Sequence, residues 1–180
     1  SGRLLFPGFI DAHVHLGVPI RGTKSADGVR EGSRAAAFGG VTTLIDFTVQ
    51  DAGEPLLDSF ERRRGLIECA AHVDIGLHGN FTDFSESNLE QIPELLARGA
   101  AGIKIFMAYR EAGMQLSDAE ILRVADHVGR AGGRLMVHAE NGDAADFLAA
   151  RLAAGGRRDA VAHGNSRPDL IEAEAIFRVA

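Results

Sequence analysis

The sequence predicts an α/β fold organised as an incomplete (β/α) barrel, and three observations lead there. Apolar, β-branched runs that read as strands alternate with helical segments about every thirty residues, the rhythm of parallel βαβ units. The runs are near-continuously apolar, as expected of strands covered on both faces. Residues with chemistry stand at the ends of several different runs, which is the barrel pattern. An open dinucleotide-binding sheet would instead carry a G-x-G-x-x-G turn after its first strand. Here that place is taken by Gly17-Val18-Pro19. A closed barrel has eight units in about 250 residues. The 180 residues of this chain hold five.

The elements follow in order. Pro7-Gly8 punctuates the chain before a first strand over 9–15. Residues 16–24, with Gly17, Pro19 and Gly22, read as a loop. Ser25 is placed to cap a helix that runs through Val29 and Ala35-Ala36-Ala37 to Phe38 and stops at Gly39-Gly40. The β-branched run 41–47 is a buried strand. Glu54-Pro55 opens a helix with Leu56, Leu57, Phe60 and Ile67 as its apolar stripe. Strand three covers 72–81, and a third helix carrying Leu89, Ile92, Leu95 and Leu96 ends at Gly99. Strand four covers 100–107. Ser117 and Glu120 form a capping box, and Ile121, Leu122, Val124, Ala125 and Val128 follow on a fourth helix. Strand five covers 134–139, a fifth helix 143–153, and a Gly- and Arg-rich loop 155–167, with Pro168 starting a last helix.

Composition narrows the function classes. Apolar residues make up 46% and charged residues 24%, ordinary for a globular protein. A net charge of -6, with no basic cluster beyond Arg62-Arg63-Arg64 and Arg157-Arg158, argues against nucleic acid as a partner. No apolar run approaches membrane-spanning length and no signal peptide is visible, so no membrane partner is expected. The opening at Ser1 suggests a processed start. The single cysteine, Cys69, excludes an intrachain disulfide and suits the cytoplasm. Its place at the end of an amphipathic segment suggests a buried structural thiol.

Four positions carry candidate chemistry. On a strand, His13 and His15 present two imidazoles on one face, enough to begin a metal site. The alternative is two surface histidines. Lys104 interrupts an apolar strand between Ile103 and Ile105. Burial favours its neutral amine, which can form a Schiff base or take up carbon dioxide as a carbamate, an anionic ligand able to bridge two metal ions. A lysine snorkelling from a strand end is the plainer alternative. His138 ends strand five, either as a ligand or as a satisfied core residue, with Glu140 and Asn141 suited to support it or to start a helix. Asp46 ends strand two, and nothing in the sequence pairs it. Tyr109 follows strand four and can donate to a developing oxyanion or simply pack. His72, His78, His127 and His163 lack metal-like spacing and read as structural or surface residues.

The run from Pro7 to His15 resembles the opening strand of the amidohydrolase superfamily. More narrowly, Ala35-Ala36-Ala37-Phe38-Gly39-Gly40-Val41-Thr42-Thr43, Lys104-Ile105-Phe106-Met107-Ala108-Tyr109, Val137-His138-Ala139-Glu140-Asn141-Gly142-Asp143 and Ser166-Arg167-Pro168, with Glu172-Ala173-Glu174-Ala175 after it, are similar to the dihydropyrimidinase/hydantoinase family. The resemblance runs along the whole chain. It implies a TIM-type (β/α)8 barrel of the metal-dependent hydrolase type, of which residues 1–180 are a part, the last strands and a β-sandwich domain being absent. It implies two divalent metal ions, usually zinc. His13 and His15 would hold the more buried ion and His138 the second, with N6-carboxylated Lys104 bridging both. Tyr109 would orient the substrate. A bridging hydroxide would attack the ring amide of a dihydropyrimidine or hydantoin and open it to an N-carbamoyl amino acid. The family also implies a homo-oligomeric, tetrameric parent, and it needs a further histidine and an aspartate beyond Ala180, so this stretch alone is expected to be inactive.

Related readings stay open. Dihydroorotases follow the His-x-His with an arginine, where Leu16 stands here, and allantoinases often have an acidic residue where Val18 stands. Gly17 and Val18 also depart from the residues that dihydropyrimidinase relatives carry there, which leaves substrate preference open. The collapsin response mediator proteins keep the fold as non-enzymatic interaction proteins that have lost metal ligands, whereas all four ligand positions in this stretch are intact.

Overall fold

A computed structural model of the chain describes residues 2–20 and 22–180. β1 (Phe9–Asp11) is short. β2 (Pro19–Ile20) and β3 (Thr23–Lys24) pair antiparallel as a small ribbon. There follow α1 (Val29–Phe38), β4 (Val41–Phe47), α2 (Leu56–Glu68) and β5 (Asp74–Asn80). Two short helices, α3 (Glu86–Glu90) and α4 (Ile92–Ala97), lead to β6 (Ile103–Phe106). A 3-10 turn (Arg110–Ala112) precedes α5 (Asp118–Arg130), β7 (Leu135–His138), α6 (Gly142–Ala154), α7 (Ala160–Asn165) and α8 (Asp169–Val179).

The main sheet has five strands in the order β1-β4-β5-β6-β7, every pair parallel. Among the described residues this is the expected partial barrel. α1 packs on β4, α2 on β5 and α5 on β7. The core between sheet and helices is built from Leu56, Phe60, Leu89, Ile92, Leu95, Ile103, Ile105, Val124 and Val128, all buried. β1 meets β4 closely at Gly8, where an added Cβ would come within 2.0 Å of the Thr42 Oγ1. Gly40, at φ +83°, turns the chain from α1 into β4 as only glycine does without strain. No helix among the described residues is long and apolar enough to cross a membrane.

Several expectations need correction. Residues 16–24 are not a plain loop, because they hold the β2–β3 ribbon. Ser25 does not cap α1. Its Oγ accepts from the Val18 amide at 2.9 Å and donates to the His15 carbonyl at 3.2 Å, while Gly28 stands at the helix start without a side-chain cap. The third helix is split at Gln91, because Pro93 has no N–H and its ring crowds the carbonyl four residues back. The break has a use. Asn88 Oδ1 and Gln91 Oε1 accept from the Leu56 and Leu57 amides, each at 2.9 Å, and so cap α2 from another element. Within 155–167, Asp159 caps α7 by accepting from the Ala162 amide at 2.9 Å. On α5 the capping box forms as expected, but Leu122 is 70% exposed, on the far side from Ile121, Val124 and Val128. Cys69 is exposed, not buried.

Two faces are left apolar and bare. Leu4, Leu5, Phe6, Phe9 and Ile10 are exposed along the β1 edge, and Leu170 and Phe177 on α8. Among the described residues β1 and β7 each have one strand edge without a partner, which invites pairing with another chain. The 180-residue chain is therefore expected to self-associate with rising concentration in sedimentation velocity. A single monomeric species across the concentration series would contradict this.

Candidate metal centre

β1 ends at Asp11, so His13 and His15 lie beyond the strand expected to carry them. Their alignment survives because the Val14 amide donates to the Ile45 carbonyl of β4 at 3.1 Å. The two rings stand 5.2 Å apart at 75°. The ring of Phe47, fully buried, touches both, with centroids 4.5 Å from His13 and 4.6 Å from His15. Both histidines are exposed.

Lys104 is 7% exposed, between the fully buried Ile103 and Ile105. Its Nζ lies 5.2 Å from the Phe106 ring centroid, and among the described residues it has no hydrogen bond or salt bridge. Burial alone pushes its amine below the ordinary lysine range. The charge of Lys104 acts in turn on His15, His78 and His138, which places the four groups in one electrostatic neighbourhood.

His138 ends β7 in register with Phe106 of β6. Its ring lies 4.8 Å from that of Tyr109 and 5.8 Å from that of Phe106. Its Nε2 stands 3.6 Å from one oxygen of the Glu140 carboxylate, whose other oxygen forms an ion pair with Arg167 Nε at 3.1 Å. Tyr109 sits at the mouth in a left-handed conformation, φ +69°, the one non-glycine residue with positive φ among those described. Such a backbone costs on the order of 1 kcal/mol, and strain of this kind gathers at functional sites.

Two residues were underrated by their spacing. His78 is buried against Phe47, at 4.9 Å between ring centroids, and its side chain hydrogen-bonds the Ala12 backbone beside His13. Asp46 does have a partner: it forms a buried ion pair with Arg63. The histidine signal was its place in an apolar strand. The Asp46–Arg63 pairing joins a strand to a helix and carries no short-range signal.

Desolvation is the first cause that lowers the pKa of His15, His78 and His138, with neighbouring positive charge adding to it. All three are thereby biased towards the neutral form, the state in which an imidazole offers a lone pair. The sign for stability follows. The unfolded chain takes up protons near pH 6.5 and the folded chain only at lower pH. The stability tied to the neutral form is present in full above about pH 6.5 and is lost as pH falls through the lower folded-state values. Urea unfolding of the metal-free chain is expected to show falling stability from about pH 7 to pH 5. A flat or rising profile would be the contrary result.

Among the described residues no group of three or more His, Cys, Asp or Glu side chains is gathered to hold a metal ion. The donors that share this electrostatic neighbourhood are an imidazole pair, a third imidazole and a largely buried amine, with no anionic partner for the amine among the described residues. This set fits a metal centre if the amine becomes an anion, since imidazole and oxygen donors suit zinc and similar divalent ions.

A family model described as Amidohydrolase family matches residues 4–173. The D-hydantoinase of Rhizobium radiobacter is 40% identical over 178 residues, which cover 99% of this chain and 39% of that protein. The dihydropyrimidinase of Rattus norvegicus is 34% identical over 179 residues, covering 99% of this chain and 34% of its own. A solved D-hydantoinase structure aligns with a TM-score of 0.93 at 38% identity, over 97% of this chain and 38% of that one. The chain thus spans 39% of the first of these relatives and 34% of the second.

Proposed function

Because the chain belongs to the amidohydrolase family, we propose that it forms part of the active site of an enzyme that hydrolyses cyclic amides, opening a dihydropyrimidine or hydantoin to an N-carbamoyl amino acid. The observation that carries this reading is Lys104, a buried amine among imidazoles with no anion to balance it. A neutral amine adds carbon dioxide and loses a proton to become a carbamate, which supplies the missing negative charge. His13 and His15 would then hold one divalent ion, zinc in the first instance, and His138 a second, with the carboxylated Lys104 between them. When bound, such ions lower the pKa of water and polarise a carbonyl.

The chain's own residues do the rest of the work assigned here. Tyr109, beside the His138 ring, would donate from its phenol to the oxygen of the ring amide as negative charge develops there. Phe47 fills the space under the imidazole pair and keeps water from that side. Leu16 favours a hydantoin or dihydropyrimidine over a substrate gripped by its carboxylate, because its buried apolar side chain offers no cation where dihydroorotases carry an arginine. The further histidine and the aspartate that the family uses have no counterpart assigned in these residues, so the 180-residue chain by itself is expected to bind metal without turnover.

The test is metal analysis of the chain purified with zinc and bicarbonate, followed by assays on hydantoin and dihydrouracil of the chain and of any longer polypeptide that contains it. About two ions per chain supports the assignment. A folded chain with none would remove these four residues as a sufficient metal site.

A further inference from the structure

We propose that Glu140 is a positioning residue for His138: held by Arg167, its carboxylate accepts a hydrogen bond from Nε2–H of the imidazole and leaves the Nδ1 lone pair for a metal ion. The proposal rests on the metal reading above, and it gives a task to Ser166-Arg167, a motif that reading leaves idle.

Glu140 is nearly enclosed, with 13% of its side chain exposed. Its two oxygens differ. Oε1 is occupied by Arg167 Nε at 3.1 Å. Oε2 is buried and has no hydrogen-bond partner, and the donor candidate before it is His138 Nε2 at 3.6 Å. That gap is slightly beyond a hydrogen bond and closes with a small rotation of either side chain. A buried acceptor left unpaired is costly, so the pair is poised to close.

The donor roles are fixed by chemistry. An ionised carboxylate only accepts, and a neutral imidazole has one N–H. The Nε2–H tautomer satisfies Oε2, whereas the other tautomer sets two lone pairs face to face. Carboxylates commonly fix ligand histidines this way in metal sites.

Glu140 is in turn held in place. Arg167 Nη1 donates to Ser166 Oγ at 2.8 Å, and that buried hydroxyl donates to the His163 carbonyl at 2.7 Å. Next to Glu140, the Asn141 amide donates to the Ile171 carbonyl at 3.2 Å and its Nδ2 donates to Glu174 at 2.8 Å. The start of α8 thus braces the segment that carries His138. A salt bridge of purely structural use would leave no enclosed oxygen aimed at the ring.

Nitrogen-15 NMR of the histidine rings in the metal-free chain reads the tautomer directly, without reference to metal or activity. His138 is expected to carry its proton on Nε2 at neutral pH. In Glu140→Gln the amide oxygen stays with Arg167 and the amide N–H₂ faces the ring, so the proton should move to Nδ1. Zinc affinity should then fall about 10- to 100-fold. A wild-type proton on Nδ1, or an Nε2 proton unchanged in Glu140→Gln, overturns the proposal. The wild-type spectrum alone decides if the variant does not fold. The tautomer switch without zinc binding by either protein would sink the metal reading and leave the hold of Glu140 on His138 standing.

Discussion

Lys104→Met is expected to abolish metal binding and, in the same protein, to raise the stability of the metal-free fold. The two effects have one origin. The amine lies buried between Ile103 and Ile105 with no hydrogen bond or ion pair among the described residues. In the metal-free state it is therefore a largely desolvated polar group with no hydrogen-bond partner among the described residues, at a cost of about 1 kcal/mol. Methionine has similar length and no such cost, so urea unfolding in a chelator should shift to higher denaturant. The gain should shrink as pH rises towards about 10.5, where the unfolded lysine also becomes neutral and the difference in proton uptake vanishes. Zinc binding moves the other way. Loss of a group that merely hydrogen-bonds a metal ligand weakens metal sites about 10- to 100-fold, and loss of the bridging group itself should exceed that. Zinc titration and unfolding on one preparation check both halves. Retained zinc would remove Lys104 from the centre, and a less stable variant would mean that the amine is solvated or bonded in the folded chain.

Asp46→Ala should produce the largest loss of stability. Asp46 is fully buried and Arg63 nearly so, joined through Nε at 3.0 Å and through Nη2. Removing one partner leaves a buried charge, which costs about 3–5 kcal/mol. For a chain of this size that is a fall in melting temperature on the order of 10 °C. The pair also grips the backbone next to His15. Asp46 Oδ1 accepts from the Leu16 amide at 3.3 Å, and Arg63 Nη2 donates to the Leu16 carbonyl. The double variant Asp46→Leu/Arg63→Met removes both charges and should recover most of the stability. It cannot recover the grip on Leu16, so its zinc affinity should stay below wild type. Full recovery of zinc affinity would confine the pair to a structural role.

What could be read from the sequence was what local chemistry dictates. β4 matches its expected bounds because a β-branched run lies directly after a glycine stop. The α5 capping box forms because its two partners, Ser117 and Glu120, stand only three positions apart. Lys104 stood out because a charge inside an apolar strand is an anomaly whatever surrounds it. Contacts between distant segments were not legible. Asp46 finds Arg63 on the following helix, and Glu140 finds Arg167 across α6 and α7. The β2–β3 ribbon was hidden because Pro19 and Gly22 signal a turn without telling that short strands flank it. α7 was hidden by the glycines and arginines around it, although Asp159 marks its start. His13 and His15 show the reverse case. The strand assumed for them ends early, yet one backbone hydrogen bond to β4 preserves their alignment.

The strand order of the main sheet has a consequence for how the centre comes into being. Within that sheet each new strand joins the one synthesised before it, so the chain can fold from its N-terminal end while translation continues. Loop closures stay short, which favours rapid addition of each unit. The candidate ligands do not arrive together. His13 and His15 are in place with the first unit, Lys104 follows three main-sheet strands later, and His138 comes with the strand after that. During that interval a nascent imidazole pair stands open to any thiophilic or borderline ion in the cell. Selection of the right metal therefore falls to the strands added later, which must close around an ion already captured or displace a wrong one.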